Sequence, residues 1–467
     1  MAIPSASYSI TVRLEVPADP ASVGLLTTAV GTAGGVVTAL DVSESYPDRL
    51  VLDVTCAASD QAHADRLVAA LTDVQGVRVG KVSDRTFLLH LGGKIEVRSK
   101  VPLRNRDDLS MAYTPGVARV CLAIAEHPED ARRLTIKRNS VAVVTDGSAV
   151  LGLGNLGPAA ALPVMEGKAA LFKRFADIDA WPICLDTQDV DEIVRAVQLI
   201  APVFGGINLE DIAAPRCFEV ERRLRDLLDI PVFHDDQHGT AIVVLAALTN
   251  ALRVVGKKLP EVRIVLSGAG AAGSAIARLL LTAGAQDLVV CDIDGVVHTG
   301  REGLDPNRQW LADNTNPRQV TGTLTAALAG SDVFVGVSAP GILTGDDVAT
   351  MAEGAVVFAL ANPDPEVDPA AARRTAAVVA TGRSDEPNQI NNVLAFPGVF
   401  RGLLDAGARH VDLVMEAAAA QALADVVAPG QLNASFIMPS VFDPEATKAV
   451  AAAVRSSFEA RRAATGT

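Results

Sequence analysis

The chain has 467 residues, which is too long for one hydrophobic core and predicts two to four domains. Its net charge of −14 comes without any basic block, which argues against nucleic acid as a partner. No apolar run is long enough to cross a bilayer, and the first residues lack the pattern of a secretion signal. The five cysteines are scattered without a CxxC pair, which predicts reduced thiols in a cytoplasmic protein.

The first predicted domain covers residues 1–90. Its alternating and helical stretches predict the order βαββαβ of a ferredoxin-like sandwich, with the last strand running through "VRVGKVSDRTFLLHL" at residues 77–91. This stretch contains no cluster of catalytic residue types. The pattern resembles an ACT domain, which implies either an amino-acid or metabolite effector or a purely structural, dimerising role. The sequence leaves both open.

The remaining chain predicts an α/β protein with two further domains. In residues 91–240, strand-like runs alternate with glycine-rich turns and helices, which favours a layered α/β domain. In residues 241–439, the strands "VRIVLSG", "DLVVCDI", "DVFVGVS" and "AVVFALA" alternate with helices, as in a Rossmann-type doubly wound parallel sheet. A last alanine-rich helix within 440–467 is a candidate for folding back onto the middle domain.

A dinucleotide-binding motif opens the third predicted domain. The letters "GAGAAG" spell GxGxxG where a predicted strand meets an apolar helix. The first glycine allows a tight turn, the second lets the backbone approach a pyrophosphate, and the third lets the helix pack closely on the strand. The next strand ends at Asp292, where the acid that binds the adenosine ribose is expected. The residues expected at the pyrophosphate are Gly268, Gly270, Ala271, Ala272 and Gly273.

The acids after the second strand of this motif bear on the choice of dinucleotide. Asp292 suits the free ribose hydroxyls of NAD, and its carboxylate would repel the 2′-phosphate of NADP. Asp294 adds to that repulsion, and the nearest cation downstream is Arg301. The sequence therefore predicts NAD over NADP, while NADP stays open because a loop arginine can reverse the preference.

Two pairs of adjacent acids stand in apolar surroundings, Glu210 with Asp211 and Asp235 with Asp236. Buried carboxylates are costly unless a positive partner neutralises them. Clustered carboxylates without histidine or cysteine spacing favour a hard divalent cation, Mg²⁺ or Mn²⁺. Glu210, Asp211 and one acid of the second pair can supply three oxygens. The alternative is that Asp211 or Asp236 caps a helix, and the spacing alone does not decide between the two.

Seven motifs between about residues 91 and 445, taken together and in order, resemble malic enzymes of the smaller bacterial type. They are "AYTPGVA", "DGSAVLGLGNLGP", "PVMEGKAALFK", "NLEDIAAP", "FHDDQHGTA", "FALANPDPE" and "NQINNVLAFPGVFRG". The resemblance implies oxidation of (S)-malate by NAD(P)⁺, followed by decarboxylation to pyruvate and CO₂. It also implies a divalent metal and a homodimer or homotetramer.

The resemblance assigns the acid pairs to a metal site. It implies that Glu210, Asp211 and Asp236 are the metal ligands. Asp235 would then not bind the metal itself but would orient a metal ligand or a catalytic group. A cation held there would polarise the keto oxygen of oxaloacetate and stabilise the enolate left when CO₂ departs.

The same resemblance implies two catalytic residues and two residues that touch substrate and nicotinamide. Lys168 matches the general base, and it must be neutral to accept the proton of the C2 hydroxyl. Partial burial and a nearby cation are expected to lower its pKa. Tyr113 matches the general acid that protonates C3 of enolpyruvate, while Asn362 and Asn392 match the contact positions. Apart from the resemblance, Lys168 is typical of a surface lysine and Tyr113 of a core or interface aromatic residue.

One position departs from the pattern of the larger eukaryotic members of the family. Those members carry an arginine that grips a malate carboxylate, and this chain has Ala149 there. The smaller bacterial type also tends to lack the arginine, so the predicted activity stands. The candidates for holding the carboxylate are the backbone of the "GLGNLG" turn, Asn362, Asn392 and an arginine that the sequence does not single out.

Two other functions compete with this interpretation. A metal-independent amino-acid dehydrogenase has a similar architecture and also uses a catalytic lysine, but it has no use for the set formed by Glu210, Asp211 and Asp236. The alternative outside enzymes is an ACT-type amino-acid sensor with an inactive catalytic body. An inactive catalytic body is expected to lack Lys168 or Tyr113, and this chain has both residues.

Overall fold

A computed structural model describes residues 4–465 of the chain. The chain divides into two compact units, Met1–Glu96 and Val97–Thr467. The first unit contains the predicted ferredoxin-like domain, and the second contains both parallel sheets. The boundary drawn between the predicted middle and dinucleotide domains lies inside the second unit and stays a prediction.

The first unit has the predicted βαββαβ order, followed by one short helix. Its sheet has the strand order β2-β3-β1-β4 with antiparallel neighbours, as in a ferredoxin-like sandwich. Apolar residues from the strands and from both longer helices form one core, which includes Leu14, Leu26, Leu52 and Leu67. The elements are β1 (Ser5–Pro17), α1 (Ser22–Thr32), β2 (Val36–Ser45), β3 (Arg49–Ala58), α2 (Gln61–Thr72), β4 (Arg78–Asp84) and α3 (Arg85–His90).

The last predicted strand of this unit is wrong in its second half. β4 ends at Asp84, and the chain continues as the short helix α3. The carboxylate of Asp84 accepts hydrogen bonds from the backbone amides of Thr86 and Phe87, at 2.7 and 3.2 Å. An aspartate at this position starts a helix by satisfying amides that have no partner within the helix. The apolar run that follows therefore continues as helix instead of extending the strand.

The second unit alternates strands and helices, as predicted. Its strands are β5 (Ser140–Thr145), β6 (Asp179–Cys184), β7 (Gly206–Leu209), β8 (Val232–His234), β9 (Arg263–Ser267), β10 (Asp287–Asp292), β11 (Gly295–Val296), β12 (Val333–Gly336), β13 (Val356–Ala359) and β14 (Val378–Thr381). Its helices are α4 (Arg106–Ala112), α5 (Val117–Glu126), α6 (Ala131–Leu134), α7 (Pro158–Ala176), α8 (Val190–Ile200), α9 (Arg216–Leu227), α10 (Thr240–Val255), α11 (Ala271–Thr282), α12 (Pro306–Asn314), α13 (Leu324–Leu328), α14 (Gly345–Val348), α15 (Pro369–Ala372), α16 (Phe396–Ala406), α17 (Leu413–Asp425) and α18 (Pro444–Thr465).

The smaller parallel sheet positions both acid pairs. Its strand order is β6-β5-β7-β8, and Leu209 at the end of β7 pairs with His234 at the end of β8. The acid pairs follow these two residues directly in the sequence. Because parallel neighbours end at the same edge of a sheet, the pairing register brings the two pairs of carboxylates together.

The larger sheet is a doubly wound Rossmann-type sheet with the order β11-β10-β9-β12-β13-β14. β11 pairs antiparallel to β10 at one edge, and the other neighbours are parallel. The strand order reverses between β9 and β12. A ligand is expected outside the carboxyl ends of the strands at this point, where the GxGxxG turn leaves β9.

A helical stretch at the centre of the second unit joins the two sheets. A π-helical turn at Asp235–Gly239 continues into α10. Contrary to the prediction that no apolar run is long enough to cross a bilayer, the helical stretch Asp235–Val255 has the length and composition of a membrane span. Most of it is buried, however, which is typical of a core helix. α11 and α17 pack against α10. The last helix, α18, packs mainly on α16 and α17 and also contacts α7 of the predicted middle domain.

Candidate active site

The two acid pairs meet, as the metal hypothesis requires. Glu210, Asp211 and Asp236 each offer one carboxylate oxygen, and these oxygens lie within 4.8 Å of one another. Glu210 and Asp211 are buried, and the side chain of Asp236 is 36% exposed. The cluster is therefore shielded from solvent at Glu210 and Asp211 and accessible to solvent at Asp236.

The helix-capping alternative for these acids is wrong. The residues that precede α9 and α10 are Pro215 and Gly239, and neither cap involves a side chain. Asp236 instead accepts a hydrogen bond of 2.8 Å at Oδ2 from the backbone amide of Asp211. Asp211 has a φ of 53°, in the left-handed region that aspartate adopts more readily than most residues. This uncommon backbone conformation occurs within the carboxylate cluster. Strained backbone conformations are often found at functional sites.

The charge balance of the cluster fits a divalent cation. Asp211 Oδ2 is buried and has no hydrogen-bond partner among the described residues. Burial and the neighbouring charge of Asp236 raise the pKa of Asp211 to about 7. Burial raises the pKa of Glu210 well above its ordinary value, against the opposing effect of Lys168. Carboxylates that repel one another in this way, with oxygen ligands and no sulfur or nitrogen, suit Mg²⁺ or Mn²⁺.

Lys168 lies between carboxylates of the two acid pairs. Its Nζ is 2.8 Å from Glu210 Oε1 and 2.6 Å from Asp235 Oδ2. Burial would lower the pKa of Lys168, as the sequence predicts, but the charges of Asp235 and Glu210 outweigh burial and raise it. A cation bound by Glu210 would engage one of these carboxylates and shift the pKa of Lys168 back toward the value that a general base needs.

Asp235 and Asn392 form a support behind Lys168. The side-chain amide of Asn392 donates to Asp235 Oδ2 at 3.2 Å and to Thr240 Oγ1 at 3.1 Å. Asp235 is fully buried, and its Oδ1 has no hydrogen-bond partner in the described chain. The structure thus places Asp235 at the lysine, where it can orient the amine, and brings Asn392 into the same network.

Two residues of this network were missed by the sequence argument. Asn208 donates a hydrogen bond of 2.8 Å to Glu210 Oε2 and so fixes that carboxylate. It stands two residues before Glu210, and the alternation of side chains along a strand could have revealed it. The ring of Phe396 lies 4.1 Å from Lys168 Nζ, in a cation–π contact. No sequence pattern connects Phe396 to Lys168, because their contact depends on how α16 packs on α7.

The GxGxxG turn has the geometry of a pyrophosphate-binding loop. Gly268 has a φ of 117° and donates a backbone hydrogen bond of 2.8 Å to Cys291 O. Gly270 precedes α11, so the amides of Ala271 and Ala272 lie in its first turn, where helices bind phosphate. α11 also packs against the π-helical turn that carries Asp235 and Asp236. The dinucleotide and metal motifs are therefore joined through one helix.

Alanine substitutions at two of these glycines will have different effects. A methyl group on Gly273 would lie 1.7 Å from Gly268 O, whereas a methyl group on Gly270 would meet no atom within 4 Å. We expect Gly273→Ala to lower the free energy of unfolding by about 1–3 kcal/mol in guanidinium titrations. Gly270→Ala should leave stability within about 0.5 kcal/mol of the parent but weaken NADH binding about tenfold. Equal stability losses in the two variants would contradict this assignment.

Tyr113, the proposed acid, lies on an exposed segment. Its side chain is 68% exposed, and no described contact joins it to Lys168. No residue from 97 to 127 is buried, although α4 and α5 carry apolar side chains such as Met111 and Leu122. The structure of one chain therefore does not bring Tyr113 to the predicted base.

The remaining substrate candidate, Asn362, lies close to the glycine-rich segment that lacks the arginine. Asn362 follows β13 and is exposed, and its side chain has no hydrogen bond within the described chain. The backbone carbonyl oxygen of Asn362 is close to Gly152. A methyl group added to Gly152 would lie 3.0 Å from that oxygen. In the same glycine-rich segment, the amide of Ala149 donates to Asp211 O at 3.0 Å. The segment that lacks the arginine thus runs beside a metal-ligand candidate.

Comparisons with known proteins agree with this geometry. The family described as malic enzyme, N-terminal domain, matches residues 92–225, and the malic enzyme NAD-binding domain matches residues 237–458. The chain belongs to the malic enzyme family. The NAD-dependent malic enzyme of Geobacillus stearothermophilus is 55% identical over 97% of this chain and 95% of that protein. The bifunctional malic/malolactic enzyme of Bacillus subtilis is 53% identical over 80% of this chain and 92% of its own length.

The fold of this malic enzyme family member also matches a solved structure. The crystal structure of the NAD-dependent malic enzyme from Thermotoga maritima has a TM-score of 0.77 and 46% identity. The match covers 80% of the present chain and 99% of the Thermotoga chain. The Geobacillus enzyme is similar over nearly the whole length, which includes the ferredoxin-like unit.

Proposed function

We infer that this chain catalyses the oxidative decarboxylation of malate to pyruvate and CO₂, with NAD⁺ as the preferred acceptor and a divalent cation as cofactor. The observation that carries this proposal is Lys168 held between Glu210 and Asp235, beside the carboxylate cluster. Membership of the malic enzyme family leaves the amino-acid dehydrogenase and the inactive sensor without support. The Geobacillus relative, which is named NAD-dependent, supports the preference for NAD.

Glu210, Asp211 and Asp236 would hold the cation. Their three oxygens leave positions free for substrate, and a bound cation would act as a Lewis acid on the C2 oxygen of the substrate. Asn208 keeps Glu210 in place through its amide. The π-helical turn fixes Asp235 toward Lys168 while Asp236 faces the cluster, so adjacent acids serve two tasks.

Lys168 would accept the proton of the C2 hydroxyl as hydride leaves for the nicotinamide. Asp235 and Phe396 restrict the position of the amine, and Asn392 restricts Asp235. Because these contacts hold the lysine side chain in one orientation, its amine is positioned for proton transfer over a short distance. Asn362 is the remaining candidate for contact with substrate and nicotinamide.

Tyr113 would protonate C3 of enolpyruvate, but at the site of a second copy of the chain. An acid that is 68% exposed is poorly protected from water, and the surrounding 97–127 segment buries none of its residues. Apolar side chains on such a segment are typical of a subunit interface. We therefore propose a homo-oligomer, a dimer or a tetramer, in which this segment is covered by a neighbouring subunit.

Mixing two inactive variants tests whether the site is shared. The Lys168→Met chain keeps its tyrosine, and the Tyr113→Phe chain keeps its lysine. If each site takes its lysine from one chain and its tyrosine from the other, a mixed dimer contains one site with both intact residues and one site with neither. After unfolding and refolding together in equal amounts, we expect about a quarter of the parent activity from random pairing. The separate refolded variants serve as controls. Activity no higher than theirs would show that Tyr113 and Lys168 act within one chain.

The reaction itself is tested by absorbance at 340 nm. Purified protein is given (S)-malate, Mn²⁺ and either NAD⁺ or NADP⁺, with and without EDTA, and pyruvate is assayed at the end. We expect metal-dependent reduction with a higher initial rate for NAD⁺. Reduction with an amino acid that EDTA does not stop would overturn the proposal, because the carboxylate cluster would then have no part in catalysis.

The ferredoxin-like unit remains a proposed regulatory or dimerising module. Its resemblance to an ACT domain supports an amino-acid or metabolite effector, and its sheet could equally extend an interface between subunits. The five cysteines are free in the structure. A reduced, cytoplasmic environment stays a prediction from the sequence. Calorimetric titration of the whole protein with amino acids distinguishes effector binding from a structural role.

A further inference from the structure

A buried carboxylate, Glu366, lies at the carboxyl ends of the strands of the larger sheet. It is fully buried, and no cation of the described chain pairs with it. Burial raises the pKa of Glu366, and hydrogen bonds from the backbone amides of Ala361 and Ser338 oppose that rise. A carboxylate that is buried without a cation is costly unless its oxygens accept well-formed hydrogen bonds. The hydrogen bonds of Glu366 therefore indicate what this residue does.

The two oxygens of Glu366 join the ends of two neighbouring strands. Oε1 accepts hydrogen bonds from the backbone amide of Ser338, at 2.9 Å, and from its hydroxyl, at 3.4 Å. Oε2 accepts a hydrogen bond of 3.0 Å from the backbone amide of Ala361. Ser338 follows β12 and Ala361 follows β13, and the ladder between these strands ends at Gly336 and Ala359. The carboxylate thus connects the two strands beyond their last ladder pair.

One arm of this connection reaches the dinucleotide-binding turn. Ser338 Oγ lies 2.9 Å from the hydroxyl of Ser267, the last residue of β9 before Gly268. A methyl group added to Gly268 would lie 2.6 Å from the carbonyl oxygen of Val337, so the segment at Ser338 packs directly on the turn. β9 and β12 are also the strands between which the strand order reverses, where a ligand is expected.

The other arm reaches the substrate candidate Asn362. Ala361 is buried and its amide is held by Glu366, whereas the next residue, Asn362, is exposed. The side chain of Asn362 forms no hydrogen bond within the described chain. A side chain that contacts two ligands has to stay free and still be placed accurately. Anchoring the backbone immediately before Asn362 achieves both.

We propose that Glu366 is a positioning residue that holds the loop bearing Asn362 against the dinucleotide turn and so aligns malate with the nicotinamide for hydride transfer. The inference rests on the proposed function for the roles of Asn362 and of the turn. Glu366 is fully buried, so its effect on the reaction passes through Asn362. Misplacement of reacting groups by about 1 Å can lower a rate about 100-fold.

A role in stability alone is the alternative explanation, and Asp332 provides the comparison. Asp332 directly precedes β12 and joins the opposite, amino ends of the same strands. Its Oδ2 accepts a hydrogen bond of 2.8 Å from the backbone amide of Arg263 at the start of β9, and its Oδ1 lies 2.7 Å from Lys257 Nζ. If carboxylates that join strand ends only stabilise the sheet, replacing Glu366 or Asp332 will lower the melting temperature and leave catalysis unchanged.

The test compares Glu366→Gln and Asp332→Asn with malate and with malate deuterated at C2. Glutamine keeps the shape of glutamate but has one acceptor oxygen, so one of the two backbone amides loses its partner. We expect Glu366→Gln to lower kcat for malate oxidation about 10- to 100-fold and to increase the deuterium isotope effect, because hydride transfer is the impaired step. Decarboxylation of added oxaloacetate should stay within about threefold of the parent, since it depends on the carboxylate cluster.

The control and a double-mutant cycle separate positioning from stability. Asp332→Asn should lower the melting temperature but keep kcat within about twofold and leave the isotope effect unchanged. Asn362→Ala should lower kcat by itself. Adding Glu366→Gln to Asn362→Ala should then change kcat less than about twofold further, because the loop no longer carries the side chain that Glu366 positions.

A second variant covers the case in which Glu366→Gln does not fold. Glu366→Asp keeps the charge but is one methylene shorter, so its carboxylate cannot reach both backbone amides from the same position. We expect it to fold and to lower kcat about three- to tenfold, with an increased isotope effect. Melting curves of all variants establish that the compared proteins are folded at the assay temperature.

Failure of this inference can be distinguished from failure of the proposed function. A folded Glu366→Gln or Glu366→Asp protein with the kcat and isotope effect of the parent would overturn the inference. Losses that multiply when Glu366→Gln and Asn362→Ala are combined would also overturn it, because Glu366 would then act independently of Asn362. An Asn362→Ala variant with the kcat of the parent would overturn it too. In these three cases the parent still oxidises malate, whereas a parent that does not would overturn the proposed function and this inference with it.

Discussion

Substitution of Lys168 by methionine will lower kcat for malate oxidation by about 10²- to 10⁴-fold, the usual range for loss of a general base. Methionine keeps the length of the side chain but cannot accept a proton. The decarboxylation of added oxaloacetate should fall less than about tenfold, because that step requires no proton acceptor at C2 and depends on the carboxylate cluster. Both rates are measured at saturating Mn²⁺, the first by absorbance at 340 nm and the second by pyruvate formation.

A second lysine on the same helix provides the matched control. Lys173 also lies on α7 and forms ion pairs with Asp177 and Asp179, but its side chain is 54% exposed. Lys173→Met should keep kcat within about twofold of the parent, as expected for an exposed ion pair remote from the carboxylates. If Lys168→Met retained malate oxidation within tenfold, Lys168 would not be the base. Equal losses in both partial reactions would instead indicate disruption of the whole site.

Substitution of Asp211 by asparagine will weaken Mn²⁺ binding by about 100-fold or more. Loss of a group that only orients metal ligands costs about 10- to 100-fold, and loss of a ligand itself should reach or exceed the upper end of that range. The apparent affinity is obtained from the Mn²⁺ dependence of the rate and, independently, from calorimetric titration. Asp177→Asn is the control, because Asp177 also has a positive φ, of 49°, but lies outside the carboxylate cluster.

The same substitution should change how stability depends on pH in EDTA. Burial and Asp236 raise the pKa of Asp211 from 3.8 to about 7 in the folded chain. A carboxyl group with a raised pKa binds more protons folded than unfolded between these values, so its contribution to stability is lost as pH rises toward 7. Melting temperatures of the parent should therefore fall relative to Asp211→Asn between about pH 4 and pH 7. Parallel curves would contradict the raised pKa.

Local sequence patterns determined most of the fold and the identities of the site residues. The strands β9, β10, β12 and β13 and the glycine motif were predicted because periodicity, turns and glycine spacing act over a few residues. The same holds for the βαββαβ order of the first unit. The end of β4 was missed because one aspartate starts a helix through a local hydrogen bond that outweighs the apolar pattern.

The tertiary structure decided which of these residues act together. The pairing of Leu209 with His234 brings the acid pairs side by side, and no spacing in the sequence specifies that register. Packing of α7 beneath the cluster places Lys168 between two carboxylates, and these raise its pKa against the effect of burial. The sequence supplied Asp292 and named Arg301 as the nearest cation, but it did not show that Arg301 and Arg308 both form ion pairs with Asp292. Charges and contacts between residues far apart in the chain depend on distances that only folding sets.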